Sequence, residues 1–240
     1  MPKTMKKLLI LTVSAVLFAG SAQAATFVES RTSLGANDLL DWSVLGPGSP
    51  LSPGFPPVFP TFPNSFSTTS SAGLDLNVSI PTGEFLRIDQ TPFFPGAFNV
   101  GEALLFTGLG NPGPLSITFD TPVFGAGAQL QSDPLNISDY VAIIEAFDSL
   151  GNSLGTFERS GVSRPIAGNG VIFVGIFDSS GDIKKLVFNT KEQGGNVPFA
   201  LNAISIKTTH EKVPEPSLML GLLVFGTAGV VSQLKSKYKH

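Results

Sequence analysis

Apolar residues in this 240-residue chain follow two different patterns. Near each end lies a single uncharged apolar block, and between the blocks short stretches alternate apolar with polar residues. Leu74-Asp75-Leu76-Asn77-Val78-Ser79-Ile80 and Leu115-Ser116-Ile117-Thr118-Phe119 repeat with the period of two that sends successive side chains to opposite faces of a strand. Fuller apolar runs at Tyr140 to Phe147, Val171 to Phe177 and Ile183 to Phe188 predict further strands. Turn-forming residues separate them at short intervals, as in Gly110-Asn111-Pro112-Gly113-Pro114 and Leu150-Gly151-Asn152-Ser153. Short strands with regular turns predict an all-β domain, an antiparallel sandwich or barrel. No central window supports an amphipathic helix longer than a turn or two.

One stretch interrupts the pattern. Gly46 to Pro63 holds seven prolines and is followed by Ser65-Phe66-Ser67-Thr68-Thr69-Ser70-Ser71. Proline fixes φ and donates no backbone N–H, so neither a helix nor a central strand persists through that spacing. An extended loop over 46–63 is expected, with Phe55, Phe59 and Phe62 lying against the domain.

The two apolar blocks have unlike flanks. At the N-terminus Lys3, Lys6 and Lys7 precede Leu8 to Ala19, and Ala22-Gln23-Ala24 supplies small residues. This is the layout of a secretory signal peptide over 1–24, with cleavage expected at or near Ala24. At the C-terminus Ser217 to Leu234 carries no charge. As a helix rising ~1.5 Å per residue it reaches roughly 27 Å, enough to cross a bilayer core. Lys235, Lys237 and Lys239 follow at once, which places the extreme C-terminus in the cytoplasm. Pro214-Glu215-Pro216 stands just before the block, and its prolines keep the backbone extended, as a protease cleft requires.

Triplet, apolar block and basic tail, in that order over Val213 to His240, resemble the PEP-CTERM sorting signal of bacterial exported proteins. The resemblance implies an exosortase, a membrane transpeptidase, as partner, acting at Pro214, Glu215 and Pro216. It also implies anchoring in the inner membrane, followed by delivery to the cell envelope, surface or extracellular matrix. The middle of the chain, from Trp42 to Ile206, is similar to exported proteins of this group with a jelly-roll-like sandwich. The segments that carry the likeness are GPLSITFDTPVFGAGAQLQSD, VAIIEAFDSLGNSLGTF, VIFVGIFDSSGDIKKLVFNT and FALNAISI. That likeness implies a β-sandwich over 25–209 and brings no catalytic residues.

Charge changes the picture of possible partners. The whole chain has a net charge of −3, but between Ala25 and Thr209 eight Lys/Arg face sixteen Asp/Glu, a net −8. Such a domain repels a phosphate backbone, so no nucleic acid is expected, and it attracts divalent cations. There is no cysteine, and the core holds by burial alone.

Candidate chemistry is sparse. Both histidines, His210 and His240, lie outside the β domain, which removes Ser-His-Asp triads and multi-histidine zinc sites. Gly125-Ala126-Gly127 lacks the context of a phosphate cradle and is explained by turns and close strand approach. Phe119-Asp120-Thr121, Phe147-Asp148-Ser149 and Phe177-Asp178-Ser179 each end an apolar run. Either Asp opens the following turn by accepting backbone N–H groups. Or Asp120, Asp148 and Asp178, with Asp182 and Glu102, gather to bind calcium, although the ligand spacing of an EF-hand loop is missing. No other cofactor is indicated. Paired carboxylates could hydrolyse glycosides without histidine. A carbohydrate-binding module is the alternative function, although Trp42 and Tyr140 are the only Trp or Tyr in the domain for a stacking platform. The expectation is an exported, non-catalytic protein with a structural or adhesive role in the envelope or matrix, with extracellular polysaccharide a possible partner.

Overall fold

The computed structural model describes residues 25–48, 58–92, 96–108, 110–132, 137–164 and 170–209. The expected signal peptide, the expected sorting triplet Pro214-Glu215-Pro216 and the expected 217–234 helix lie outside them, as do Lys235, Lys237 and Lys239. No helix among the described residues is long and apolar enough to cross a membrane.

The chain is all-β and antiparallel. Its strands are β1 (Thr26–Val28), β2 (Asp38–Leu40), β3 (Thr61–Thr69), β4 (Asp75–Asp89), β5 (Ala103–Phe106), β6 (Leu115–Val123) and β7 (Gly125–Ser132). They continue as β8 (Ser138–Phe147), β9 (Ser153–Ser163), β10 (Ile172–Phe177), β11 (Ile183–Glu192), β12 (Gly195–Asn196), β13 (Phe199–Leu201) and β14 (Ile204–Lys207). One helical turn, α1 (Arg31–Leu34), is capped by the Ser30 hydroxyl accepting from Ser33 N–H and ended by left-handed Gly35. A 3-10 turn spans Trp42–Leu45.

All described strands join one sheet in the order β1-β10-β7-β13-β5-β4-β6-β11-β8-β9, with β3 on β4, β14 on β7, β2 on β14, and β12 on β11. Strand β4 is long enough to serve two neighbours: Leu76 to Ser79 pair with β6 and Leu86 to Asp89 with β5. Between these halves the chain passes Gly83, which takes positive φ.

The two end strands of the path meet through side chains, so the sheet is nearly closed and barrel-like. Phe27 of β1 stacks on Phe157 of β9 with centroids 5.5 Å apart. Arg159 of β9 donates to Glu29 O (2.9 Å) and Phe173 O (3.1 Å). The buried Tyr140 hydroxyl of β8 reaches across to Leu130 O (2.8 Å) and Gly170 O (3.1 Å). Burial removes water from that phenol and pushes its pKa far up.

The enclosed core follows from the period-two pattern. Leu76, Val78 and Ile80 of β4 and Leu115, Ile117 and Phe119 of β6 point inward, while their polar neighbours face out. Every residue of β5 is buried, because apolar clusters lie on both of its faces.

One expectation needs correction, and another holds in its close strand approach but not in its turn. The proline-rich loop ends before Pro63, since β3 begins at Thr61 and the Ser/Thr-rich stretch after it is strand. Proline is tolerated because β3 pairs only with β4, and the ladder is irregular between Pro63 and Ser65. Phe59 and Phe62 do pack against core clusters, while Phe55 is outside the described residues. Gly125 to Gly127 form the start of central strand β7. A Cβ on Gly127 would stand 2.5 Å from Val174 O, so glycine is what lets β10 and the Phe173 ring lie close.

Candidate functional site

The ladder registers bring the three Phe-Asp triplets to one end of the sheet: Phe147 lies opposite Lys185, Lys185 opposite Thr118, and Phe177 opposite Gly125, two residues past the end of β6. The carboxylates there do different things. At Asp148 one oxygen accepts from the N–H groups of Leu150 and Asn152 (both 2.8 Å), and the other from the Asn152 side-chain amide (2.8 Å). The Asn152 bond first, then the backbone donors, hold this exposed carboxyl below the usual range.

Asp178 is buried, at 1 % exposure. It accepts from Ser180 N (3.3 Å), the Ser180 hydroxyl (2.5 Å) and Asp182 N (3.0 Å). Both aspartates therefore direct both of their carboxylate oxygens to their own turns. Asp182 enters this arrangement through its backbone. Glu102 sits in a different cluster, accepting from Asn99 N (2.8 Å) and the Asn202 amide (3.1 Å). Among the described residues, no group of three or more His, Cys, Asp or Glu is placed to hold a metal ion.

Asp120 belongs to a groove. It stands where β6 bulges away from β11, since Ile183 pairs with Val123 but Lys185 with Thr118. Lys184 Nζ donates to Asp120 O. The groove, of about 490 Å³, runs over the outer face between Ser67 and Thr69 of β3, Asp75 and Asn77 of β4, Asp120 and Lys184. Asp75 accepts from the Thr69 hydroxyl (2.8 Å), and the Asn77 amide donates to Phe66 O (3.2 Å). The lining is mixed, with Ser, Thr, Asn and Asp side chains and Lys184 above the buried Leu76 and Phe119, and it is open to water. It offers hydroxyls, an amide and two carboxylates to a polar ligand. Glycoside hydrolysis needs two carboxyls in contrasting environments, and here Asp75 and Asp120 are both exposed.

The aromatic candidates are elsewhere. Trp42 and Tyr140 are fully buried, and the Trp42 indole N–H donates to Asn202 O (3.0 Å). Neither can stack on a sugar.

Three buried polar hubs are not evident from motifs. Asn202 accepts from Arg31 (2.6 Å) and Gln129 N (3.1 Å) and donates to Glu102 and to Gln129 Oε1 (2.7 Å). Desolvation there lowers the Arg31 pKa, with Glu102 and Asp41 opposing it. Arg87, 2 % exposed, pairs with Asp89 at 2.6 Å and donates to Trp42 O (2.9 Å), while Asp89 accepts from Gly48 N (2.9 Å). Asp38 accepts from the Ser70 and Ser71 hydroxyls and from Ala72 N and Leu39 N. Burial pushes its carboxyl up, and these bonds together outweigh that and hold it below the usual range. Arg87 and Asp89, two apart on one strand face, are the one pair whose spacing could have betrayed a hub.

No protein family matches the chain, and no characterised protein is similar to it in sequence. Solved structures similar to it in part include two whose likeness is low. A DUF4465 family protein from Bacteroides caccae is 16% identical over 60% of this chain and 86% of that one, with a TM-score of 0.38. The enzymatically active domain of tailspike protein 4 of bacteriophage CBA120 is 12% identical over 55% of this chain and 19% of that one, with a TM-score of 0.28.

Proposed function

We propose that this chain is an exported protein, anchored in the inner membrane by its C-terminal apolar block and sorted by an exosortase to the envelope or extracellular matrix. Its role there is structural or adhesive and non-catalytic. The observation that carries this reading is the order Pro214-Glu215-Pro216, Ser217–Leu234, then Lys235, Lys237 and Lys239. The domain adds support: residues 25–209 contain no histidine, and the triplet carboxylates of Asp148 and Asp178 bond to their own turns. In this reading the wrapped sheet is a jelly-roll-like sandwich. The β3-β4-β6-β11-β8-β9 half forms one layer, the β1-β10-β7-β13-β5 half the other, and β4 crosses between them.

The test is processing. Pro214→Ala with Pro216→Ala leaves export intact but lets a helix run through the site. Uncut protein then accumulates in the membrane. Unchanged release of the double variant refutes the triplet as the recognition element.

A carbohydrate-binding module is the second reading. The polar groove over Asp75, Asn77 and Asp120 favours it, whereas the burial of Trp42 and Tyr140 removes its aromatic form.

A further inference from the structure

The outer face of β3, β4 and β6 is more regular than a solvated sheet surface needs to be. Ser65 pairs with Ser79, and Ser79 with Ser116. One step along, Ser67 pairs with Asn77, and Asn77 with Thr118. A further step along, Thr69 pairs with Asp75, and Asp120 follows Phe119, which pairs with Leu76 beside Asp75. Three strands thus present three short polar side chains each, in register. Neighbours lie about 4.8 Å apart across the strands and about 6.7 Å along them. No aromatic or branched apolar side chain interrupts the grid.

The side chains of Ser67, Ser79, Ser116 and Thr118 make no hydrogen bond among the described residues, and all are exposed or half-buried. Their donors and acceptors are uncommitted. A hydroxyl reaches only one atom beyond Cβ, so whatever uses these groups must lie flat and close to the backbone. The groove lies over two of the three rows.

Charge restricts the occupant. Asp75 and Asp120 outnumber the one cation of the groove lining, Lys184, so the groove is net negative and repels a polyanion. Asp, Asn and Ser oxygens accept from neutral hydroxyls, and the Ser and Thr hydroxyls donate to them. A repeating chain of hydroxyls satisfies several rows at once, so individually weak bonds add through one polymer.

We propose that this face binds a neutral polysaccharide lying across β3, β4 and β6, held by hydrogen bonds without aromatic stacking. The inference rests on the adhesive part of the proposed function, for which it names the surface and the partner chemistry.

Full-length protein in detergent micelles is tested for retention on three neutral polysaccharides, cellulose, an insoluble β-1,3-glucan and cross-linked dextran, with alginate as the anionic comparison. Wild type is retained on at least one neutral polymer and not on alginate. Ser67→Glu and Thr118→Glu, at surface positions, each weaken retention at least about tenfold, equivalent to about 1.4 kcal/mol. Thr32→Glu, on exposed α1, does not. Circular dichroism melting of each variant shows that the domain remains folded. No retention on any neutral polymer, stronger retention on alginate, or equal behaviour of the grid and α1 variants overturns the proposal. Tail processing is read separately, so protein that is sorted but not retained sinks this inference alone, and protein that is retained but never processed sinks only the sorting reading.

Discussion

Asn202 holds four parts of the chain together, since Arg31, Glu102, Gln129 and Trp42 all bond to it. Asn202→Ala takes one partner each from Arg31, Glu102 and Gln129, while Arg31 keeps Ala203 O and Glu102 keeps Asn99 N, a loss of about 1–3 kcal/mol. Roughly 2–4 °C of melting temperature goes with each kcal/mol in a domain of this size, which thermal melting reads directly. Asp38 makes a pH prediction. Its folded pKa lies below the unfolded value of about 3.9, so its contribution is fully present above that value. It is lost as pH falls through the lower, folded pKa. Asp38→Asn therefore costs about 1–3 kcal/mol at neutral pH, and the gap to wild type narrows in acid melts below pH 4. A gap that stays constant with pH contradicts that role. For the triplets, calcium and magnesium at equal concentration raise the melting point equally, by screening the −8 charge. A calcium-specific rise that disappears in Asp148→Asn or Asp178→Asn would instead make them ligands. The positions of these aspartates were legible, because a Phe-Asp-Ser/Thr triplet at a strand end marks a turn. Their engagement with turn N–H groups was one of the two readings the sequence left open, and the folded turn, which fixes the direction of those N–H groups, decides it for Asp148 and Asp178.

Strands differ in how openly they declare themselves. Strands β4, β6, β8, β10 and β11 carry the β-branched and aromatic residues that fit a half-buried pleated surface, and the sequence marks them clearly. Strand β7, GAGAQLQS, hides because its glycines mimic a turn while serving close packing against β10. Strand β3 hides behind prolines that only an edge position accepts. The groove was illegible for a related reason: its rows come from three strands, and register is a property of pairing that no single segment contains. The seam between β1 and β9 gives a prediction at this scale. Phe157→Ala removes the ring that stacks on Phe27, with about 0.5–1.5 kcal/mol of pair energy beyond the area lost. Because β1 is short and pairs only with β10, amide exchange at Thr26 to Val28 should accelerate while Ala126 to Leu130 of β7 stay protected. Uniform acceleration across both strands would mean that the seam is part of the global unfolding unit.

For the whole molecule, the domain over 25–209 is an acidic, apolar-cored β-structure of net charge −8, and the seven Lys/Arg outside it all lie in the short terminal segments 1–24 and 210–240. That division suits a body working outside the membrane and a tail retained by it. Closure by side chains at the seam, in place of a fully hydrogen-bonded barrel, leaves β1 and β9 as edges; β3, paired with β4 alone among the described strands, is another, and it carries no charge along its nine residues. An uncharged edge is open to pairing unless a proline or an irregular ladder interrupts it, as Pro63 does for half of β3. The measurement that bears most directly on the account is topology in a host that has no exosortase. The full chain, with an epitope after His240, is expressed there, and spheroplasts are fractionated and treated with external protease. The account predicts that all the protein sediments with the membrane, that protease removes the β domain, and that the C-terminal epitope is spared until the membrane is dissolved. Fully soluble protein, or an epitope digested along with the domain, would contradict it.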